Sequence, residues 1–206
     1  MTPKPSESDA SSQRIEDTRQ EDTTRPGFMM GIFEGAFRWD LVAPFPEQDG
    51  DDKRIGDDLI RRVRQVLEEY IDPHEVDRTA EVPEEALLAL NELGCFGMRV
   101  PATYGGLGLS ETNYNRVIAL IASYCTATAA CLSAHQSVGA VEPLLLFGTE
   151  AQKDAFLPRI AKGALTAFAL TDPEAGSDPG EIRTTANLDE HGGHYVLNGE
   201  KLWCTN

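Results

Sequence analysis

Residues 165–178 read LTAFALTDPEAGSD. The first six, LTAFAL, have the length and flanks of a short buried strand. The next eight, Thr171 to Asp178, hold hardly any bulk: acids, Pro173, Gly176 and Ser177. Before Leu165 the apolar residues recur at helical spacing, and after it they fall in short runs set apart by turn residues. The change of period at Leu165 therefore decides the fold class. A helical domain is followed by the first strands of an antiparallel β unit.

On the helical side, Leu59, Ile60, Val63, Val66, Leu67 and Tyr70 mark one amphipathic face. VPEEALLALNELG (82–94) carries Pro83 and two acids at its start and Gly94 at its end, the expected start and stop signals. The apolar-rich stretch 110–148 predicts two helices, the second stopping near Gly148. Thr149 and Gln152 stand at capping-box spacing, and Pro158 predicts a bend in the helix that follows.

On the β side, EIRTTANL (181–188), HYVLNG (194–199) and KLWCTN (201–206) are strand candidates. DEHGG and Asn198-Gly199 supply the turns between them. So short a sheet has an open edge and little core of its own, which reads as a fragment of a longer protein. Four segments result: a polar, acidic tail over 1–26, an apolar arm and charged linker over 27–56, the helical domain over 57–164, and an incomplete β domain over 165–206. The arm, GFMMGIFEGAFRWDLVAPFP, is rich in aromatic residues, and the charge run EQDGDDKRIGDD follows it.

Composition narrows the function. The 206 residues carry a formal net charge of −16, the opposite of what a phosphate backbone attracts, so nucleic acid is not an expected partner. No apolar run reaches the roughly 18 residues of a spanning helix, and the tail has no apolar signal core. Cys95, Cys125, Cys131 and Cys204 form no CxxC pair, which favours a reducing, cytoplasmic-type compartment over a disulfide framework. Cys131 and His135 lie one helical turn apart, and His191 and His194 flank two glycines. The first pair is too few ligands for zinc, and the second marks a solvated turn. His135, alone on an apolar stretch, reads as a hydrogen-bonded core residue.

TDPEAGSD admits two readings. It is a surface turn, or it is a loop whose small residues admit a ligand. For the second, Gly176 allows close backbone approach, Ser177 adds a hydroxyl, and successive N–H groups can hold a phosphate. Thr171, at the strand end, would aim a hydroxyl into the site. Thr166 has the opposite parity and would face the other way.

FALTDPEAGSD together with NGEKLWCTN resembles the flavin-binding segments of acyl-CoA dehydrogenases. GIFEG, VPATYGGLGLS, AHQSVG, LLLFGTEAQKDAFLPRIAKG and IRTTA extend the resemblance over residues 27–206, most like the very-long-chain branch. It implies a multi-domain α+β fold: an all-helical N-terminal domain, an antiparallel β middle domain and a C-terminal helical domain. It also implies FAD as cofactor, with Phe168, Ala169, Leu170, Thr171, Gly176, Ser177, Trp203, Cys204 and Thr205 lining it. Thr171 would bond the pyrimidine side of the ring and Thr205 the region of the hydride-accepting nitrogen. Trp203 would cover the flavin face. Ser177 would lie beside both the pyrophosphate and the acyl-CoA substrate. The implied reaction is α,β-desaturation of a long-chain acyl-CoA to the trans-2-enoyl-CoA in fatty acid β-oxidation. Electron-transfer flavoprotein and a homodimer are the implied partners. The catalytic base is implied in the C-terminal domain, so no residue of this chain is assigned to it. Glu150 and Glu181 have plainer readings, as a helix first-turn acid and a strand-edge charge.

Three residues depart from the family pattern. Asp172 stands where Glu is usual, Glu174 adds a negative charge near the implied pyrophosphate, and Cys204 replaces an aliphatic residue. Two other readings stay open: an acyl-CoA oxidase or flavin monooxygenase of the same fold, and a non-catalytic helical binding module.

Overall fold

The computed structural model describes residues 28–44, 47–189 and 191–206. The polar tail over 1–26 lies outside the described residues. The chain divides into two units, residues 1–48 and 49–206.

In the first unit, the arm forms a helix α1 (Phe28–Phe33) and a 3₁₀ turn (Trp39–Leu41). Gly35 ends α1 at φ 78°, where a side chain would be strained. The Phe28 and Phe37 rings meet edge to face at 5.5 Å, and Phe37 lies 5.9 Å from Trp39. The arm thus builds a local aromatic cluster.

The second unit opens with α2 (Gly50–Tyr70), which starts inside the charged run. Asp49 explains the start: its side chain accepts the N–H groups of Asp51 and Asp52. Short helices α3 (Pro73–Thr79) and α4 (Glu84–Glu92) follow. Gly94, at φ 80°, stops α4 where the sequence placed its end. Ser110 caps α5 (Glu111–Tyr124), and its hydroxyl also donates to Asp52 at 2.8 Å. The fully buried Asn113 donates to the Asp52 carbonyl at 2.6 Å. The starts of α2 and α5 are therefore joined through one aspartate. Leu59, Val63 and Leu67 of α2 share one core with Leu90, Val117, Ile121 and Leu132. Each large aliphatic side chain in it contributes about 1.5–3 kcal/mol by leaving water.

The stretch expected to form two helices forms three: α5, α6 (Thr126–Ser133) and α7 (Val141–Phe147). Cys125 interrupts it in an extended conformation, and a π-helical turn (Ala134–Val138) follows α6. Gly139 then breaks the helix. A Cβ there would collide with the Thr166 hydroxyl and the His135 carbonyl, so only glycine lets the chain past. α8 (Glu150–Ala161) begins with the capping box of Thr149 and Gln152 and continues past Pro158. Val100, Val141, Leu157 and Ile160 form a second, smaller core against it.

The β segment departs further from the sequence reading. LTAFAL is not a buried strand. Phe168 makes one isolated bridge to Thr205, and Leu165, Phe168 and Leu170 are exposed. KLWCTN is likewise no strand beyond that bridge. A strand persists only with a ladder partner, and one ladder exists among the described residues. It joins β1 (Thr185–Leu188) to β2 (Tyr195–Asn198), antiparallel, with Thr185 opposite Asn198 and Leu188 opposite Tyr195. Asp189 organises the turn between them by accepting the N–H groups of His191, Gly193 and His194. The helical domain followed by short antiparallel strands is the fold class the period change indicated.

Candidate functional site

The site is built where the chain leaves the helical body. Thr166 is the first anchor. Its N–H donates to Nδ1 of His135 at 2.9 Å, and its hydroxyl donates to the His135 carbonyl at 2.9 Å. Since Nδ1 accepts, Nε2 carries the proton and donates to the Phe96 carbonyl at 2.8 Å. His135 is fully buried, and burial lowers its pKa. It is the hydrogen-bonded core residue its apolar setting suggested. Through these bonds Thr166 faces the helices, although LTAFAL forms no strand whose parity could set that direction.

Beyond Thr166, two segments distant in sequence run side by side. Phe168 bridges Thr205, and the Leu202 N–H donates to the Thr171 carbonyl at 2.9 Å. The structure thus brings together TDPEAGSD and NGEKLWCTN. At their junction lies Asp172, only 4% exposed. One of its oxygens accepts the N–H groups of Arg183 at 2.7 Å and Thr184 at 2.9 Å. The other accepts the Thr184 hydroxyl at 2.9 Å and faces Lys201 Nζ at 2.5 Å. The Lys201 ammonium, first, and these donors hold the Asp172 carboxyl well below the usual carboxylate range.

The sequence-predicted residues fall around this junction. Phe168, Leu170 and Trp203 are exposed, Trp203 at 85%. Trp203 also takes a left-handed backbone, φ 58°, in which only a few per cent of non-glycine residues are found. Ala169 and Cys204 are exposed in the same two segments. A Cβ on Gly176 would meet nothing within 4 Å, so the loop is open on that side. Ser177 lies in that loop, beyond the residues that bridge to 201–206. The hydroxyls of Thr171, Ser177 and Thr205 make no hydrogen bond among the described residues. Glu174 pairs with Arg183 at 2.6 Å, which compensates the charge that stood against a phosphate there.

These features fit a flavin dinucleotide. A flat ring needs exposed apolar surface, a polar ring edge needs hydroxyls with no internal partner, and a pyrophosphate needs an open loop of small residues. The first two lie along the paired segments, and the open loop follows them at Gly176 and Ser177. Two contributors escaped the sequence reading. Asp172 entered it only as a departure, and Lys201 stood unremarked in NGEKLWCTN. The available signal was a base two residues after the Asn198-Gly199 turn, able to reach back to the acid of TDPEAGSD.

His191 and His194 stay in the Asp189 turn, where His194 lies 3.7 Å from the carboxylate. Among the described residues no group of three or more His, Cys, Asp or Glu could hold a metal ion. No helix among them is long and apolar enough to cross a membrane.

The helical body thus ends in two paired segments that expose Phe168 and Trp203 beside the hydroxyls of Thr171 and Thr205. Comparison with known proteins identifies the class. The acyl-CoA dehydrogenase N-terminal domain matches residues 57–164, and the acyl-CoA dehydrogenase middle domain matches residues 167–206. The chain belongs to the acyl-CoA dehydrogenase family. The probable acyl-CoA dehydrogenase FadE10 of Mycobacterium tuberculosis is 41% identical over 191 residues, covering 93% of this chain and 29% of that protein. The very long-chain specific mitochondrial acyl-CoA dehydrogenase of Rattus norvegicus is 41% identical over 182 residues, covering 87% of this chain and 28% of its own length. An acyl-CoA dehydrogenase from Bacillus anthracis, solved in complex with FAD, superposes with a TM-score of 0.60 at 34% identity, covering 78% of this chain and 27% of its own. The chain therefore spans less than a third of the length of each of these relatives.

Proposed function

We propose that this chain is the N-terminal part of an FAD-dependent acyl-CoA dehydrogenase that desaturates long-chain acyl-CoA thioesters to trans-2-enoyl-CoA in fatty acid β-oxidation. One observation carries the reading: segments 168–172 and 201–205 lie side by side with the hydroxyls of Thr171 and Thr205 unpartnered. FAD, when bound, accepts the hydride that leaves the β carbon. The residues of this chain bind and orient. Thr171 offers its hydroxyl to the pyrimidine edge of the ring, and Thr205 offers its own near the opposite edge. Phe168, Leu170 and Trp203 supply apolar surface and exclude water. Gly176 and Ser177 leave room for the pyrophosphate, and the Ser177 hydroxyl also faces the acyl-CoA. The α proton goes to a carboxylate base, a role assigned to no residue of this chain.

Electron-transfer flavoprotein as acceptor, a homodimeric assembly and a reducing cytoplasmic compartment complete the proposal. The preference for long chains rests on likeness to the very-long-chain branch. The test is to titrate the full protein with FAD and then add palmitoyl-CoA without oxygen. Binding followed by bleaching of the flavin, with enoyl-CoA formed one for one, is the expected result. Absence of FAD binding refutes the proposal. Fast reoxidation by oxygen would favour the oxidase reading.

A further inference from the structure

We propose that Asp172 and Lys201 are positioning residues that hold segments 168–172 and 201–205 at a fixed spacing and thereby set flavin affinity and reduction. The inference rests on the FAD reading above and deepens it.

The two segments have few backbone ties. One isolated bridge joins Phe168 to Thr205, and one N–H of Leu202 reaches the Thr171 carbonyl. Two such contacts leave register weakly specified. Lys201 supplies what is missing. Its Nζ donates to the Leu170 carbonyl at 2.7 Å and to Asp172 Oδ1 at 2.5 Å. Leu170, Thr171 and Asp172 are thus each tied to Lys201 or Leu202. The backbone on both sides of Thr171 is held by its neighbours, so its own hydroxyl stays free for a ligand. Trp203 and Thr205 stand two and four residues after Lys201, so the same ties set where their segment begins.

Asp172 is itself anchored. Its carboxylate takes Arg183 N–H, Thr184 N–H and the Thr184 hydroxyl, all from the approach to β1. The pair therefore joins the loop, the start of the sheet and the 201–205 segment at one point. It is a buried pair on the carboxylate side and partly exposed on the ammonium side, with side-chain exposures of 5% and 23%. Removing one member of such a pair leaves the other uncompensated and frees the backbone it held.

The test is made in the full protein with FAD as the probe. Lys201→Met keeps the stem and removes the ammonium, and Asp172→Asn keeps the shape and removes the charge. Each is expected to raise the FAD dissociation constant about tenfold or more. Each should also change the visible flavin spectrum and slow reduction by palmitoyl-CoA. The double variant should be no worse than the weaker single one, because both remove the same tie. Lys201→Arg and Asp172→Glu keep the pair while altering its spacing, and they carry the test where the single removals fail to fold. They should fall between the parent and Lys201→Met in affinity and spectrum, with the urea midpoint of the flavin-free protein unchanged. Parent-like FAD affinity and spectrum in these variants, even with lowered stability, overturn the inference alone. A parent that binds no FAD overturns the cofactor reading, and this inference falls with it.

Discussion

Replacing Thr166 by Val isolates one contact that ties the β segment to the helical body. Val keeps the shape of Thr, so no cavity forms and backbone preference barely changes. The main-chain bond from residue 166 to His135 Nδ1 survives. Two bonds are lost: the hydroxyl no longer donates to the His135 carbonyl at 2.9 Å, and the Ala140 N–H loses its acceptor at 3.2 Å. A buried group left without its partner costs about 1–3 kcal/mol. Thr166 is half-buried, so each loss belongs near the lower end, and together they come to about 2 kcal/mol. With a urea m-value of about 2 kcal/mol/M, the unfolding midpoint should fall by about 1 M. Thr166→Ser keeps the hydroxyl and loses one methyl, so it should cost only about 1 kcal/mol. The assay is urea unfolding of the flavin-free protein followed by far-UV circular dichroism. A Val variant within about 0.2 M of the parent, or a Ser variant as weak as the Val, refutes the assignment of stability to this hydroxyl.

Thr171→Val removes a hydroxyl with no internal partner, so urea stability should hold while FAD affinity drops roughly tenfold to a hundredfold, read by fluorescence titration. Leu90→Ala in the main core should cost about 2–5 kcal/mol, seen as a lowered urea midpoint, because Leu90 is fully buried. Burial lowers the pKa of His135, so the unfolded chain takes up its proton first as pH falls. Stability should be level above the ordinary histidine value of 6.5 and decline as pH falls from there toward the lower folded value, and His135→Gln should flatten this window in urea midpoints across that range. Gly139→Ala should destabilise more than an ordinary surface change, since the added Cβ meets the Thr166 hydroxyl and the His135 carbonyl.

What the sequence disclosed was mostly local. Thr149 and Gln152 form their capping box, and Gly94 ends α4 in the left-handed conformation, because such signals act within one helical turn. Of the two interruptions in 110–148, the one at Gly139 is set by Thr166, a residue far along the chain, and the one at Cys125 has no Gly or Pro to mark it. LTAFAL looked like a buried strand because apolar content does not specify a partner. The two flavin-like segments were legible as motifs, and the structure adds that they are neighbours. The Asp172–Lys201 pair was not legible, since a charge pair across 29 positions leaves no periodic trace.

Leu188, Tyr195, Val196 and Leu197 are all exposed, so apolar side chains stand on both faces of the two-stranded β1–β2 ladder. Both outer edges of that ladder still carry unpaired backbone donors and acceptors among the described residues. Such a ribbon invites other chains to add strands to it. Preparations of these 206 residues alone should therefore show concentration-dependent turbidity, and a charged residue at Val196 or Leu197 should delay its onset without disturbing the helices.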